Sequence, residues 1–171
     1  MSTLVHVCCG PCLLAVNEIL DDEYSAYFFN PNIHNFDEYQ RRLMTAGFTA
    51  QHLKKEFFYE NFPDVYEWVR EVLKGNDRCL NCVRLRLEKT AKFAKEKNFK
   101  SFTTTLLSSP YQKHDEIKNL GFEIARKYGL EFFYRDFRAG YKKSIEISKK
   151  LNLYRQKYCG CFLSSFEKYK L

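Results

Sequence analysis

The chain has 171 residues, of which 45% are hydrophobic and 29% charged, enough for one domain with a real core and too apolar for a disordered chain. Its 28 Lys and Arg against 21 Asp and Glu give a net charge of +7, the balance of a protein that meets a polyanion or of a merely soluble basic surface. No run approaches the ~20 apolar residues of a membrane helix, and the opening MSTLVHVCCGPCLLAV has neither the basic start nor the cleavage site of a secretory signal. The expected setting is the cytoplasm, with no membrane partner.

Residues 3–8 (TLVHVC) read as a short buried strand, Gly10 and Pro11 as a break, and Leu13–Leu20 as a helix. Tyr24–Asn30 is a second strand, stopped by Pro31. Phe36–Leu53 has helical spacing, with Asp37 as its cap. Residues 54–76 are aromatic and irregular, apart from a helix near Asp64–Leu73 that stops at Gly75 and Asn76. Leu80–Lys97 is a strongly amphipathic helix, and the β-branched Ser101–Leu107 a buried strand ended by Ser108, Ser109 and Pro110. His114–Tyr128 is helical, with Gly129 as its C-cap. Glu131–Asp136 is a strand, Lys142–Lys150 a helix, Tyr158–Cys161 a short connection and Phe162–Tyr169 a last short helix. Strands that alternate with helices predict a parallel sheet covered by helices, in a single α/β domain over residues 1–171 without repeats or linkers.

All seven cysteines fall in three tight groups: Cys8, Cys9 and Cys12 (CCGPC), Cys79 and Cys82 (CLNC), and Cys159 and Cys161 (CGC). In a reducing compartment such groups point to metal binding or redox chemistry and not to structural disulfides. Cysteines buried as small hydrophobes would be scattered. CCGPC follows the first strand and opens the first helix, where unpaired amides favour anionic sulfur, and ligands of parallel sheets bind beyond the C-terminal strand ends. CLNC opens a helix in the same way. Three chemistries use these residues. A thiolate-bound iron–sulfur cubane uses the set most fully. Zinc held by four thiolates leaves three cysteines over. A thioredoxin-like Cys9–Cys12 dithiol leaves Cys79 and Cys82 idle. The 16 Phe and 12 Tyr, next to positive charge, also suit stacking on unpaired bases, although core packing explains any single ring as well.

The segments CCGPC (8–12), FFNPNIHNFDEYQRR (28–42), RCLNCVRLRLEKTA (78–91), FTTTLLSSPYQKHD (102–115) and DFRAGYKKSIEISKKLNLYRQKYCGC (136–161) together resemble the cobalamin-independent epoxyqueuosine reductases, over nearly the whole chain. The resemblance implies a three-layer, Rossmann-like fold of the adenine-nucleotide alpha hydrolase type. No phosphate-binding glycine loop is present, so ATP use is not expected. It implies the last step of queuosine synthesis: two electrons and two protons remove the epoxide oxygen of the modified base as water. The partners would be tRNA bearing epoxyqueuosine in its anticodon loop and an external electron donor that leaves no mark in the sequence. Carried over by position, Cys8, Cys9, Cys79 and Cys82 look like the ligands of a [4Fe–4S] cluster, and Cys159 and Cys161 like a redox-active pair. An additional mononuclear iron is conceivable, held by Cys12, Cys159, Cys161 and an acid such as Asp136.

Such a reaction needs a proton donor for the leaving oxygen. His34, Tyr111, Asp136 and Tyr158 are candidates, each with a plain alternative as a cap, a turn residue or packing. Arg41, Arg42, Arg84, Arg86, Arg138, Lys142, Lys143 and Arg155 are candidate contacts to the nucleic-acid backbone, Arg84 and Arg86 being equally natural on the solvated face of a helix. The competing functions are a zinc-stabilised RNA-binding module without catalysis and a dithiol oxidoreductase acting on proteins.

Overall fold

Thr3–His6 forms strand β1, and all four residues are buried, as a central strand covered on both faces requires. A computed structural model describes this strand within residues 2–20, 23–61 and 63–168. Helix α1 (Gly10–Asn17) starts three residues before the predicted Leu13. Gly10 and Pro11 begin the helix and do not break it. Cys9 is the N-cap, its Sγ accepting the Cys12 N–H at 3.3 Å, and proline in the first turn gives up an N–H that has no helical partner. A Cβ on Gly10 would meet Thr49 Oγ1 at 2.6 Å, so glycine lets this corner close against the next helix.

Strand β2 (Tyr24–Phe28) leads to α2 (Phe36–His52), which is capped by Asn35 and not by Asp37: Asn35 Oδ1 accepts the Glu38 N–H at 3.0 Å. Asp37 lies in the first turn, where a negative charge suits the helix dipole. The stretch read as irregular contains a short strand, β3 (Phe57–Tyr59), ahead of α3 (Val65–Val72). Helix α4 (Arg78–Glu96) takes in Cys79, because Asp77 caps it with a bond from the Leu80 N–H at 3.0 Å. Strand β4 (Ser101–Thr104) ends before the predicted Leu107, and Thr105–Ser108 turns as a 3-10 helix. After α5 (His114–Tyr128), Gly129 adopts the left-handed C-cap as expected. Strand β5 is only Glu131–Phe132; α6 (Tyr141–Lys150) and α7 (Phe162–Lys168) complete the chain, and Tyr169 lies outside the described residues.

The five strands are all parallel, in the order β3-β2-β1-β4-β5, with Val5 opposite Ala26 on one side and Thr103 on the other. Helices α1, α2 and α6 pack together, as do α3, α4 and α5, which makes a three-layer α/β fold. The main core is built on Leu4, Val5, Phe28, Phe102, Leu107 and Phe137; a satellite core gathers Trp68, Val72, Leu85 and Cys161. Strand order reverses between β1 and β4, the place where such sheets open a crevice at their C-terminal edge. No helix among the described residues is long and apolar enough to cross a membrane.

Candidate metal and redox site

The crevice between β1 and β4 holds the first cysteine group. His6, at the end of β1, is fully buried and bonds Thr104 Oγ1 at 2.9 Å and the Phe29 carbonyl at 3.0 Å, tying three strand ends together. Burial pushes this imidazole down to about 3, so it is neutral and structural. Two residues on, the Cys8 N–H donates to Thr105 Oγ1 at 3.0 Å and the Thr105 hydroxyl donates to Cys8 Sγ at 3.2 Å. Cys8, Cys9 and Cys12 bring their sulfurs within 4.8 Å of one another, close enough to hold a metal ion. Hydrogen bonds with Cys12 and Cys9 draw the Cys8 thiol well below its ordinary range. Burial raises Cys9, and the bond with Cys8 raises Cys12. The trio thus favours one thiolate flanked by two thiols, whose protons a metal would displace. Cys9 and Cys12 open onto a cavity of about 330 Å³ shared with Tyr141, Arg155, Gln156 and Lys157.

The other four cysteines line a second cavity of about 260 Å³ together with Trp68, Arg86 and Tyr111. Cys79 and Cys82 reach it from the first turns of α4, and the Trp68 indole N–H donates to Cys82 Sγ at 3.2 Å. Cys159 and Cys161 reach it from a loop seated on the residues before and within α2. Asn32 Nδ2 and Arg42 Nη1 each donate to the Cys159 carbonyl at 3.0 Å, and Arg42 Nη2 to the Tyr158 carbonyl at 2.8 Å. The His34 N–H donates to the Gly160 carbonyl at 3.2 Å, and His34 Nδ1 accepts the Phe162 N–H at 3.1 Å. Gly160 sits at φ +113°, and a Cβ there would meet Ile33 Cγ1 at 2.9 Å, so the middle residue of CGC must be glycine. The Sγ atoms of Cys159 and Cys161 are 3.5 Å apart. Their shared hydrogen bond brings Cys159 down to about 5 and pushes Cys161 up. A thiolate beside a thiol is the arrangement from which a disulfide forms.

The structure therefore sorts the cysteines by cavity. Cys79 and Cys82 share theirs with Cys159 and Cys161, while Cys9 and Cys12 face the other. The two groups share one cation, since the Arg86 charge acts on both Cys8 and Cys159. Asp136 is not brought to either cavity: it accepts the Arg138 N–H at 3.1 Å and pairs with the Arg138 guanidinium at 2.6 Å, which holds its carboxyl at about 2. Tyr111 is highly exposed at the rim of the second cavity, its ring 6.5 Å from that of Tyr141 in the first. His34 and the Tyr158 backbone serve the loop seat.

Of the predicted backbone contacts, Arg42 and Arg86 are buried, and Arg84, Arg138 and Lys143 pair with Glu123, Asp136 and Glu18. Arg41, Lys142 and Arg155 are exposed, with no ion pair among the described residues, and Arg155 lines the first cavity. Sequence reasoning missed Thr105 and Trp68. Thr105 is the first residue past the end of β4, where ligand-binding residues of parallel sheets gather, and that position is its signal. Trp68 is the single tryptophan, on a helix with one apolar face.

A family model described as "Epoxyqueuosine reductase QueH" matches residues 3–167. Proteins with the same description are similar over most of their length. The one from Thermotoga maritima is 36% identical, covering 98% of this chain and 92% of that protein. The one from Dehalococcoides mccartyi is 34% identical, covering 97% and 93%. The one from Streptococcus pyogenes is 34% identical, covering 94% and 69%. With a match that runs through all seven cysteines, the chain belongs to the epoxyqueuosine reductase QueH family.

Proposed function

We propose that this chain reduces epoxyqueuosine to queuosine in tRNA, in the cytoplasm, at the cavity walled by Cys79, Cys82, Cys159 and Cys161. The observation that carries the reading is the Cys159–Cys161 pair, 3.5 Å apart with one sulfur poised as a thiolate, in a chain of this family. The pair is a two-electron reductant, which is what an epoxide needs to lose its oxygen. The Cys159 thiolate and Cys161 thiol close to a disulfide and give up two electrons. Both C–O bonds of the epoxide break and its two carbons become an alkene. The oxygen leaves as water with the Cys161 proton and one from solvent. An external electron donor then reopens the disulfide.

The donor set fits an iron–sulfur centre: free thiols, soft ligands for such clusters, standing in two groups at the starts of two helices. On the family resemblance, Cys8, Cys9, Cys79 and Cys82 would hold a [4Fe–4S] cluster, which would have to span the two cysteine groups, and Cys12, beside Cys8 and Cys9, is the spare thiol for an additional mononuclear iron. When bound, the cluster supplies electrons one at a time. Thr105 and Trp68 orient Cys8 and Cys82 through their bonds to sulfur. Asp136, ionised and paired, is not the proton donor, and Tyr111 at the cavity rim is the better placed hydroxyl. Its exposed ring, with Arg155 and Lys157 across the neighbouring cavity, suits a base splayed out of the anticodon loop.

The test is anaerobic incubation of reduced, metal-loaded protein with tRNA bearing epoxyqueuosine, followed by mass spectrometry of the nucleosides. We expect the modified nucleoside to lose one oxygen atom, and Cys159→Ser to abolish the loss. An intact epoxide after incubation with fully loaded wild type rules the reading out.

A further inference from the structure

Two arginines are buried near the thiols, and they are held in opposite ways. Arg42 is satisfied: Nε donates to Glu38 Oε1 at 2.6 Å, and its two terminal nitrogens donate to the Cys159 and Tyr158 carbonyls. Arg86 is just as deep, only 5% exposed, yet among the described residues it pairs with no carboxylate. Its Nε finds no acceptor, and its Nη1 is aimed at Cys82 Sγ, 3.9 Å away. It lies on the wall of the cavity lined by Cys79, Cys82, Cys159 and Cys161. A buried, unpaired cation is strongly unfavourable, and neutral thiols do not relieve it, so the compensating negative charge has to reside on the sulfur side of that cavity.

We infer that Arg86 is the resident counter-cation of the sulfur site, a positioning residue whose guanidinium balances the negative charge of the thiolates and of the centre they hold. This rests on the iron–sulfur reading of the site. A thiolate-ligated cluster is anionic, and each electron it accepts makes it more so. A fixed cation at short range therefore favours metal retention and favours the reduced state over the oxidised one. Arg86 touches neither substrate nor reacting atoms in this role. Arginine suits it because it stays charged when buried, and its planar fork can address more than one sulfur.

The experiment compares wild type with Arg86→Met, which keeps length without charge, and Arg86→Lys, which keeps charge without the fork. Each is loaded anaerobically, assayed for iron and sulfide, titrated to its reduction midpoint by spectroelectrochemistry, and challenged with an iron chelator. Arg86→Met is expected to have a more negative midpoint and to lose metal roughly tenfold faster or more, the scale on which groups outside the ligand shell act. Arg86→Lys is expected to keep the midpoint near that of wild type. If Arg86→Met does not fold, Arg86→Gln repeats the comparison. A midpoint and release rate equal to wild type in the neutral variant overturn the inference and leave the cluster reading standing. If wild type instead holds metal without sulfide, the cluster reading fails, and the chelator rate alone decides whether Arg86 stabilises the thiolate-bound metal.

Discussion

Cys159 and Cys161 sit 3.5 Å apart and titrate in opposite directions, because one hydrogen bond can serve only one thiolate. With its value lowered to about 5, Cys159 is a thiolate at neutral pH and becomes a thiol only as pH falls through about 5. In metal-free protein, iodoacetamide should therefore label Cys159 faster than Cys161 at neutral pH, by peptide mass spectrometry, and the rate should fall off near pH 5. Cys161→Ala, which removes the hydrogen-bond donor that is the largest cause of the shift, should move that fall-off toward ordinary thiol values. Thr105 tests the other group. Thr105→Val keeps the shape but strips the hydroxyl from the Cys8 N–H and sulfur, and should cost about 1–3 kcal/mol in urea unfolding. The cysteine groups are legible in the sequence because metal and redox chemistry constrains spacing. Thr105 is not, since a threonine in TTTLL reads first as a strand former. Nor is the burial of Arg86, whose position on an amphipathic helix also fits the solvated face.

Elements set where those residues meet. The segment 28–42 turns out to be the seat of the CGC loop, through Asn32, His34 and Arg42, a role that no local pattern reveals because its partners lie more than a hundred residues away. Arg42→Ala should break the buried pair with Glu38 and release the loop together, at a cost of about 3–5 kcal/mol in chemical denaturation. The same variant should slow disulfide closure between Cys159 and Cys161, followed by free-thiol titration after mild oxidation. Amphipathic helices were the most legible elements: α4 and α5 follow their apolar spacing closely. The misread ones have physical causes. Pro11 and a cysteine N-cap start α1 where glycine and proline suggest a break. Strand β3 is a half-buried edge strand of three aromatic residues, and it and the two-residue β5 are too short to show a period of two.

On the scale of the whole molecule, the alternation of strands and helices leads to a parallel three-layer sheet. The strand order does not follow from it, because it depends on long-range pairing. That order matters for function: only with β1 beside β4 does Cys8 meet Thr105 at the mouth of the crevice. Net charge is likewise visible in the sequence, but which cations are free is not, since five of the eight predicted contacts are spent on internal pairs or burial. Binding to tRNA should weaken linearly in log–log plots against salt. Arg155→Ala should flatten the slope by about one phosphate contact, measured by fluorescence anisotropy. A slope unchanged in that variant would remove Arg155 from the interface.

The central claim is that the gathered thiols carry an iron–sulfur centre for reductive chemistry. Iron, zinc and acid-labile sulfide content of protein purified without oxygen, together with its visible spectrum, tests it most directly. The account predicts iron and sulfide in about equal amounts, roughly four of each per chain with the broad absorbance of a cubane, and loss of both in Cys79→Ser. Zinc without sulfide, in a colourless protein, would contradict it.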